Sequence, residues 1–328
     1  MNEPRAWQCD RCGFQMVERH CKVICPNCGA RWDCSDVTIW VGDGRPSTFT
    51  ARPYRASDAP TMTRRWPQAP TVAELRDAGV AGWLLLAYEE PQGYAAIFPL
   101  PGLPDLFELH GEVWEEACQR GGAALLLDTL LQSLDHRAVR QVTRAVPSLQ
   151  SAEARFLEQH DFRLGHEEWQ MRCRLPAAQS PPTLAPGYRL RSLPRVQALD
   201  LFLRLYEESF SPTPWYQPYS RAEAAAELRD RDELLFFFKK DEPIGFAWLR
   251  VHHPGEGEIE PMGIVPGHQG QGAGRALLGA ALQRLSERSL HQATVGVWRQ
   301  NEAALSLYTS AGFQRTASRY YLVYDVPV

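Results

Sequence analysis

The stretch that decides the fold is VPGHQGQGAGRALL, residues 265–278, where four glycines and two glutamines lie between a short apolar run and a helix-like segment. Two familiar ligands are excluded by spacing. A nucleoside-triphosphate loop needs G-x-x-x-x-G-K-[ST], but Gly267 and Gly272 are followed by Ala273 and Gly274, with no lysine. A dinucleotide fingerprint needs G-x-G-x-x-G, and counting from Gly270 and Gly272 the third position is Arg275. What remains is the helix end itself. Its first N–H groups have no intrahelical partner and point along the positive end of the dipole, and glycines let phosphate oxygens approach them. The loop reads as a pyrophosphate cradle without a magnesium-binding hydroxyl or a clamping lysine. It suits a ligand whose pyrophosphate is a handle rather than the reacting group.

Outward from the loop, GYRLRSL reads as a strand, and VQALDLFLRLYEESF and SRAEAAAELRD as helices. ELLFFFKK, PIGFAWLRVHH and EGEIEPMGIV read as successive strands, with KKDEP as a hairpin turn. After the loop come the helix GRALLGAALQRLSER, the strand ATVGVWR, and the helix NEAALSLYTSAG, with Asn301 as its N-cap and Gly312 as its stop. RYYLVYDV closes the set as a strand. The fold class is α/β (α+β), a mixed layer with the loop at a strand-to-helix junction.

The chain contains this pattern twice. IVPGHQGQGAGRALLGAALQRL sets over VWEEACQRGGAALLLDTLLQSL, and with a shift of one residue Gln269 is matched to Gln119 and Gly272 to Gly122. NEAALSLYTSAGF (301–313) sets over QSAEARFLEQHDF (150–162), and YYLVYDVP over WQMRCRLP. A period near 150 residues is too long for a solenoid unit and indicates two copies of one domain. The first copy keeps Gln119, Gly122 and Ala124, so a cradle is expected there too, and Glu108 falls where Glu258 sits. It has Leu157 for Tyr308 and Asp161 for Gly312, and reads as a structural or ligand-sensing half.

With these motifs the second copy, over residues 184–326, resembles the GNAT superfamily of N-acetyltransferases. The cofactor motif [QR]-x-x-G-x-[GA] is met by Gln269, Gly270, Gln271, Gly272, Ala273 and Gly274. The motif N-x-x-A-x-x-x-Y-x-x-x-G-F is met by Asn301, Ala304, Tyr308, Gly312 and Phe313. The resemblance implies an acetyl-CoA site. Met262, Gly263, Ile264 and Val265 would offer main-chain groups to the pantetheine arm, and the amides from Gln269 to Arg275 would hold the pyrophosphate. Asn301 would lie near the cofactor and Tyr308 near its sulfur. A tandem arrangement also occurs in mycothiol synthases, whose second-half motif GEIEPMGIVPGHQGQGAG resembles, but no substrate carries over.

Acetyl transfer requires an amine to lose a proton and a departing thiolate to gain one. The strand period of two puts Glu258, Glu260 and Met262 on one face. Glu258 is the candidate base, directly or through a water, with Glu260 second. Tyr308 is the candidate acid. Against these roles stand ordinary ones, since strand glutamates are commonly just solvated and a helix tyrosine is often core. SPTPWYQPYS (211–220) falls where an acceptor pocket is expected; Trp215, Tyr216 and Tyr219 could cage an ammonium group, but a rigid, self-packed loop is the favoured reading.

Six of eight cysteines lie in the first 34 residues. CDRCG and CPNCG place Cys9, Cys12, Cys25 and Cys28 at zinc-ribbon spacing, a closed tetrahedral site for structural zinc, while Cys21 and Cys34 are surplus. Disulfides fit the expected cytoplasmic compartment poorly. Cys118 and Cys173 stand alone and are expected to be buried. The motif resembles ribbons that bind nucleic acid, that bind protein, or that merely stabilise, and Arg11, Arg19, Lys22 and Arg31 are too few to choose among them. A net charge of -4 argues against a generally nucleic-acid-coating surface, and no apolar run approaches the roughly 18 residues of a membrane span.

The expected organisation is a zinc ribbon over 1–44, a degenerate GNAT-like domain over 48–176, a proline-rich linker over 177–187, and a GNAT domain over 188–328. The first functional expectation is an acetyl-CoA-dependent N-acetyltransferase acting on a primary amine. The rival is a non-catalytic acyl-CoA sensor or adaptor whose ribbon recruits nucleic acid or protein.

Overall fold

The computed structural model describes residues 49–327 apart from 136, 176–183, 185, 215 and 254, together with short strands between residues 7 and 46. Most of the proposed linker and all four candidate zinc ligands, Cys9, Cys12, Cys25 and Cys28, lie outside the described residues, as do Cys21, Cys34 and Trp215. Near the N-terminus the strands Trp7–Gln8, Gln15–Arg19, Lys22–Ile24 and Arg31–Asp33 form an antiparallel meander in that order. Gln8 pairs with Gln15, Val17 with Ile24, and Ile24 with Arg31. The ends joined by residues 9–14 and by residues 25–30 therefore lie on the same side of the meander.

Two compact units divide the chain: residues 1–99, 107–142 and 326–328 in one, residues 100–106 and 143–325 in the other. The second unit carries the candidate site. Its strands run Tyr188–Ser192, Glu233–Lys239, Glu242–His253, Glu256–Ile264, Gln292–Trp298, Arg163–Arg174 and Gln314–Asp325 across the sheet. All neighbours are antiparallel except Glu256–Ile264 with Gln292–Trp298, which run parallel.

The order reports an exchange of strands. Arg163–Arg174 ends the first sequence repeat, yet it lies between the last two strands of the second and pairs with both. Its Met171, Cys173 and Leu175 are buried in one core cluster with Ala293, Val295, Val297 and Leu277 of the second repeat. Burying such side chains contributes about 1.5–3 kcal/mol each. The opposite edge of the strand is fixed by Glu167, which accepts hydrogen bonds from Trp169 Nε1 (2.8 Å), Ser318 Oγ (2.9 Å) and Arg315 Nη2 (3.1 Å). Unit boundaries consequently fall inside the first repeat.

In the first unit the strands Phe49–Pro53, Gly82–Ala87, Glu90–Leu100 and the end of Leu103–Val113, from residue 107, lie side by side. The helices Ala59–Arg65, Val72–Asp77 and Gly122–Gln132 belong to it, the second opened by a capping box in which Thr71 Oγ1 accepts from Glu74 N (3.2 Å). Gly121 caps the last with φ +81, as Gly272 caps its counterpart with φ +84. The structural equivalent of Gly272 is thus Gly121, one residue before the Gly122 expected from the repeat alignment. Gly122 is tightly packed: a Cβ there would stand 2.7 Å from Leu85 and 2.9 Å from Ala117 O. Cys173 is buried as expected, but Cys118 is exposed, because its helix of five residues turns that face outward.

Candidate functional site

The glycine loop connects the strand Glu256–Ile264 to the helix Ala273–Glu287. A 3-10 turn, Pro266–His268, leaves the strand, and Gln269 Nε2 then donates to Ile264 O (2.8 Å), tying the loop to the strand end. Gly270 and Gly272 adopt φ +70 and +84, a backbone conformation that costs other residues roughly 1–2 kcal/mol. A Cβ at either would meet nothing within 4 Å, so the space in front of both is open. The helix's first intrahelical bond runs from Ala276 N to Gly272 O (3.1 Å), leaving the N–H groups before it directed out of the helix end.

That open space belongs to a cleft of about 660 Å³. Of the candidates named from the sequence, Met262, Gly263, Ile264, Gln269, Gly270, Gly272, Gly274, Arg275, Asn301 and Tyr308 line it. Three further candidates do not. Val265 and Ala273 are buried, and Gln271 is exposed, its Nε2 donating to Gly267 O (3.1 Å). Asn301 caps its helix through Oδ1, which accepts from Ala304 N (3.2 Å), and Gly312 ends it at φ +89. The cleft also has lining the sequence did not signal, Ser209 and Phe210, together with Thr213 from the 211–220 stretch. Ser209 Oγ is buried with no hydrogen-bond partner, an orphaned polar atom of the kind a ligand satisfies.

The cleft exists because two parallel strands part. Glu256–Ile264 and Gln292–Trp298 pair at Glu256/Gln292, Gly257/Ala293 and Glu258/Thr294. On the other edge Leu249 faces Ile259 and Ala247 faces Met262, so three residue steps oppose two. This bulge corrects the expected alternation: Glu258 and Glu260 share a face, but Met262 does not continue it.

Glu258 stands at the last parallel pair and lines a separate cavity of about 360 Å³ with Gln170, Arg172, Glu256 and Thr294. Glu260 lies beyond it. Burial, Glu258 and Glu168 push its carboxyl up to about 7, against the lowering effect of Arg250 and a hydrogen bond from the Gly296 N–H. Tyr308 is buried, and burial together with Glu260 raises its phenol above the usual tyrosine value. The 211–220 loop packs onto the preceding helix Arg195–Phe210: Tyr206 donates to Gln217 O (2.9 Å), Tyr216 to Glu207, and Tyr219 packs against Tyr206 (centroids 5.0 Å).

Comparison with known proteins agrees with this geometry. The acetyltransferase (GNAT) family model matches residues 198–313, and a model described as zinc finger protein-like matches residues 7–39. A tandem GNAT protein from the clavulanic acid biosynthesis pathway superposes with TM-score 0.57 at 14% identity, covering 85% of this chain and 99% of that one. This likeness is one of fold, with two GNAT-like regions. A mycothiol acetyltransferase of Nocardia farcinica is 30% identical over 261 residues, covering 74% of this chain and 82% of that protein. The chain belongs to the GNAT acetyltransferase family. Within it, the chain is similar to the mycothiol acetyltransferases, although with several of these it aligns over about half of their length, as with that of Amycolatopsis mediterranei (35% identical over 146 residues, 41% of this chain and 48% of that protein). Among the described residues no helix is long and apolar enough to cross a membrane.

Proposed function

We propose that this chain transfers an acetyl group from acetyl-CoA to a primary amine, with the chemistry in the second repeat, residues 188–328, and a degenerate first repeat over 48–176. The observation that carries the reading is the open glycine cradle leading into a cleft floored by Tyr308. Amides at the start of Ala273–Glu287 and the open faces of Gly270 and Gly272 suit a pyrophosphate. Ser209 Oγ and the main chain past the bulge suit an amide-bearing arm. When bound, acetyl-CoA supplies an activated thioester carbonyl.

The protein's own groups move the protons. The Glu258–Glu260 pair accepts the proton of the incoming ammonium, with Glu260 the better placed because its carboxyl titrates near neutrality. This reverses the order expected of the two glutamates from the sequence alone. Tyr308, whose phenol stays protonated, donates to the departing sulfur. An unshifted strand carboxylate would be a weaker base by two to three orders of magnitude in proton affinity.

For the N-terminal module we propose structural zinc held by Cys9, Cys12, Cys25 and Cys28. The strand ends flanking both C-x-x-C segments lie on one side of the meander, which suits a shared ion. The test of the enzyme reading is thiol release from acetyl-CoA across a panel of amines, a mycothiol-type acceptor first. Turnover of one amine, lost in Tyr308→Phe while acetyl-CoA still binds, is the expected result. Acetyl-CoA binding with no amine turned over would favour the sensor reading.

A further inference from the structure

We infer that Glu168, which the first repeat carries into the second repeat's sheet, is a positioning residue for proton transfer, acting through Glu260. Its strand Arg163–Arg174 pairs Glu168 with Trp298 on one side and Arg319 on the other. Next to it, Gly296 leaves its Cα face bare. A Cβ there would stand 2.9 Å from Glu260 Oε2 and 3.1 Å from Glu168 Oε1. The two carboxylates thus meet over one glycine, within about 6 Å of each other, the range over which charges reset each other's proton affinity. No side chain fits between them.

Glu168 is held in place. Its carboxylate accepts hydrogen bonds from Tyr321 Oη (3.2 Å) and Gln170 Nε2. The charged and titratable groups facing Glu260 come from every element around it: Glu258 on its own strand, Arg250 on the next, Tyr206 and Tyr308 on two helices, and Glu168 and Arg319 on the exchanged and final strands. Glu168 works with Glu258 to keep Glu260 a strong base. The step it serves is a plain proton transfer, from the acceptor's ammonium nitrogen to a Glu260 oxygen, with no other bond changed. A repeat that has lost its own tyrosine would therefore still set the pH at which its neighbour works.

The inference rests on the acetyltransferase reading for its kinetic consequence, but not for its electrostatic one. The test is a carboxyl-carbon NMR titration of full-length protein labelled at the glutamate side-chain carboxyl, with the Glu260 signal assigned by its loss in Glu260→Gln. We expect Glu260 to titrate near 7 in the native chain. In Glu168→Gln its midpoint should fall by on the order of one pH unit, since a like charge within about 6 Å disfavours the ionised carboxylate. Glu168→Asp, which keeps the charge, should shift it less and covers the case in which the first variant misfolds. Glu167→Gln, which loosens the same strand from its other face, should lower thermal stability without moving the midpoint. An unchanged Glu260 midpoint in Glu168→Gln, or an equal shift in Glu167→Gln, overturns the inference. In turnover assays the acidic limb of kcat/KM should move down with the NMR midpoint. A moved midpoint with no turnover of any amine would leave Glu168's role standing and sink the enzyme reading instead.

Discussion

Gly272 and Gly121 stand at the same place in two copies of one fold, each left-handed, at φ +84 and +81, at the start of a helix. What lies ahead of them differs. Gly270 and Gly272 face open space in a cleft, whereas two residues before Gly121 the first repeat carries Gln119 in place of a glycine, its Nε2 donating to Glu115 Oε1 (3.3 Å). The same contrast recurs one helix later. Gly312 at φ +89 is matched by Asp161, which holds φ +65, and Tyr308 by Leu157, both buried. The first repeat keeps the turns but carries side chains where the second has bare backbone. It contributes instead by lending a strand.

The largest effect expected from this contrast is on cofactor binding. Gly272→Glu puts a side chain and a negative charge where the pyrophosphate would lie, and should weaken acetyl-CoA binding at least 100-fold by titration, while Gly121→Glu should leave affinity within about threefold. Next comes the acid. Tyr308→Phe should lower turnover by roughly 10²–10⁴ with little change in acetyl-CoA affinity, and Leu157→Tyr should add no second activity, as initial-rate assays would show. For the base, kcat/KM should rise with pH up to about 7 and then level, because Glu260 must be ionised to accept a proton and burial beside Glu258 and Glu168 holds its carboxyl there. Glu260→Gln should abolish that limb. If Glu258→Gln abolishes it instead, the two glutamates exchange roles.

The smallest effects concern stability. Asp161→Gly should raise, and Gly312→Ala lower, unfolding free energy by about 1–2 kcal/mol in denaturant melts, because only glycine takes positive φ without cost. A Cβ at Gly312 would meet nothing within 4 Å, so conformation alone sets that sign.

The cradle, the caps at Asn301 and Gly312, and the strand-to-helix junction were legible in the sequence because each depends on residues within a few positions of one another. The glycines and the capping asparagine are local statements. The exchanged strand was not legible. WQMRCRLP reads as the end of its own repeat, and pairing with residues more than a hundred positions away leaves no trace in local spacing. Glu168 was missed for that reason, and Ser209 because a serine within a helix signals nothing until a cleft opens beside it. The bulge between Ile259 and Met262 likewise hid from a count of two, since a period assumes an unbroken ladder.

The most direct measurement is calorimetric titration of acetyl-CoA into the full-length protein, its Gly272→Glu variant and its Gly121→Glu variant. One equivalent bound by the native chain and by Gly121→Glu, with none bound by Gly272→Glu, is the expected result. Binding that survives Gly272→Glu, or that Gly121→Glu removes, would contradict a live site in the second repeat.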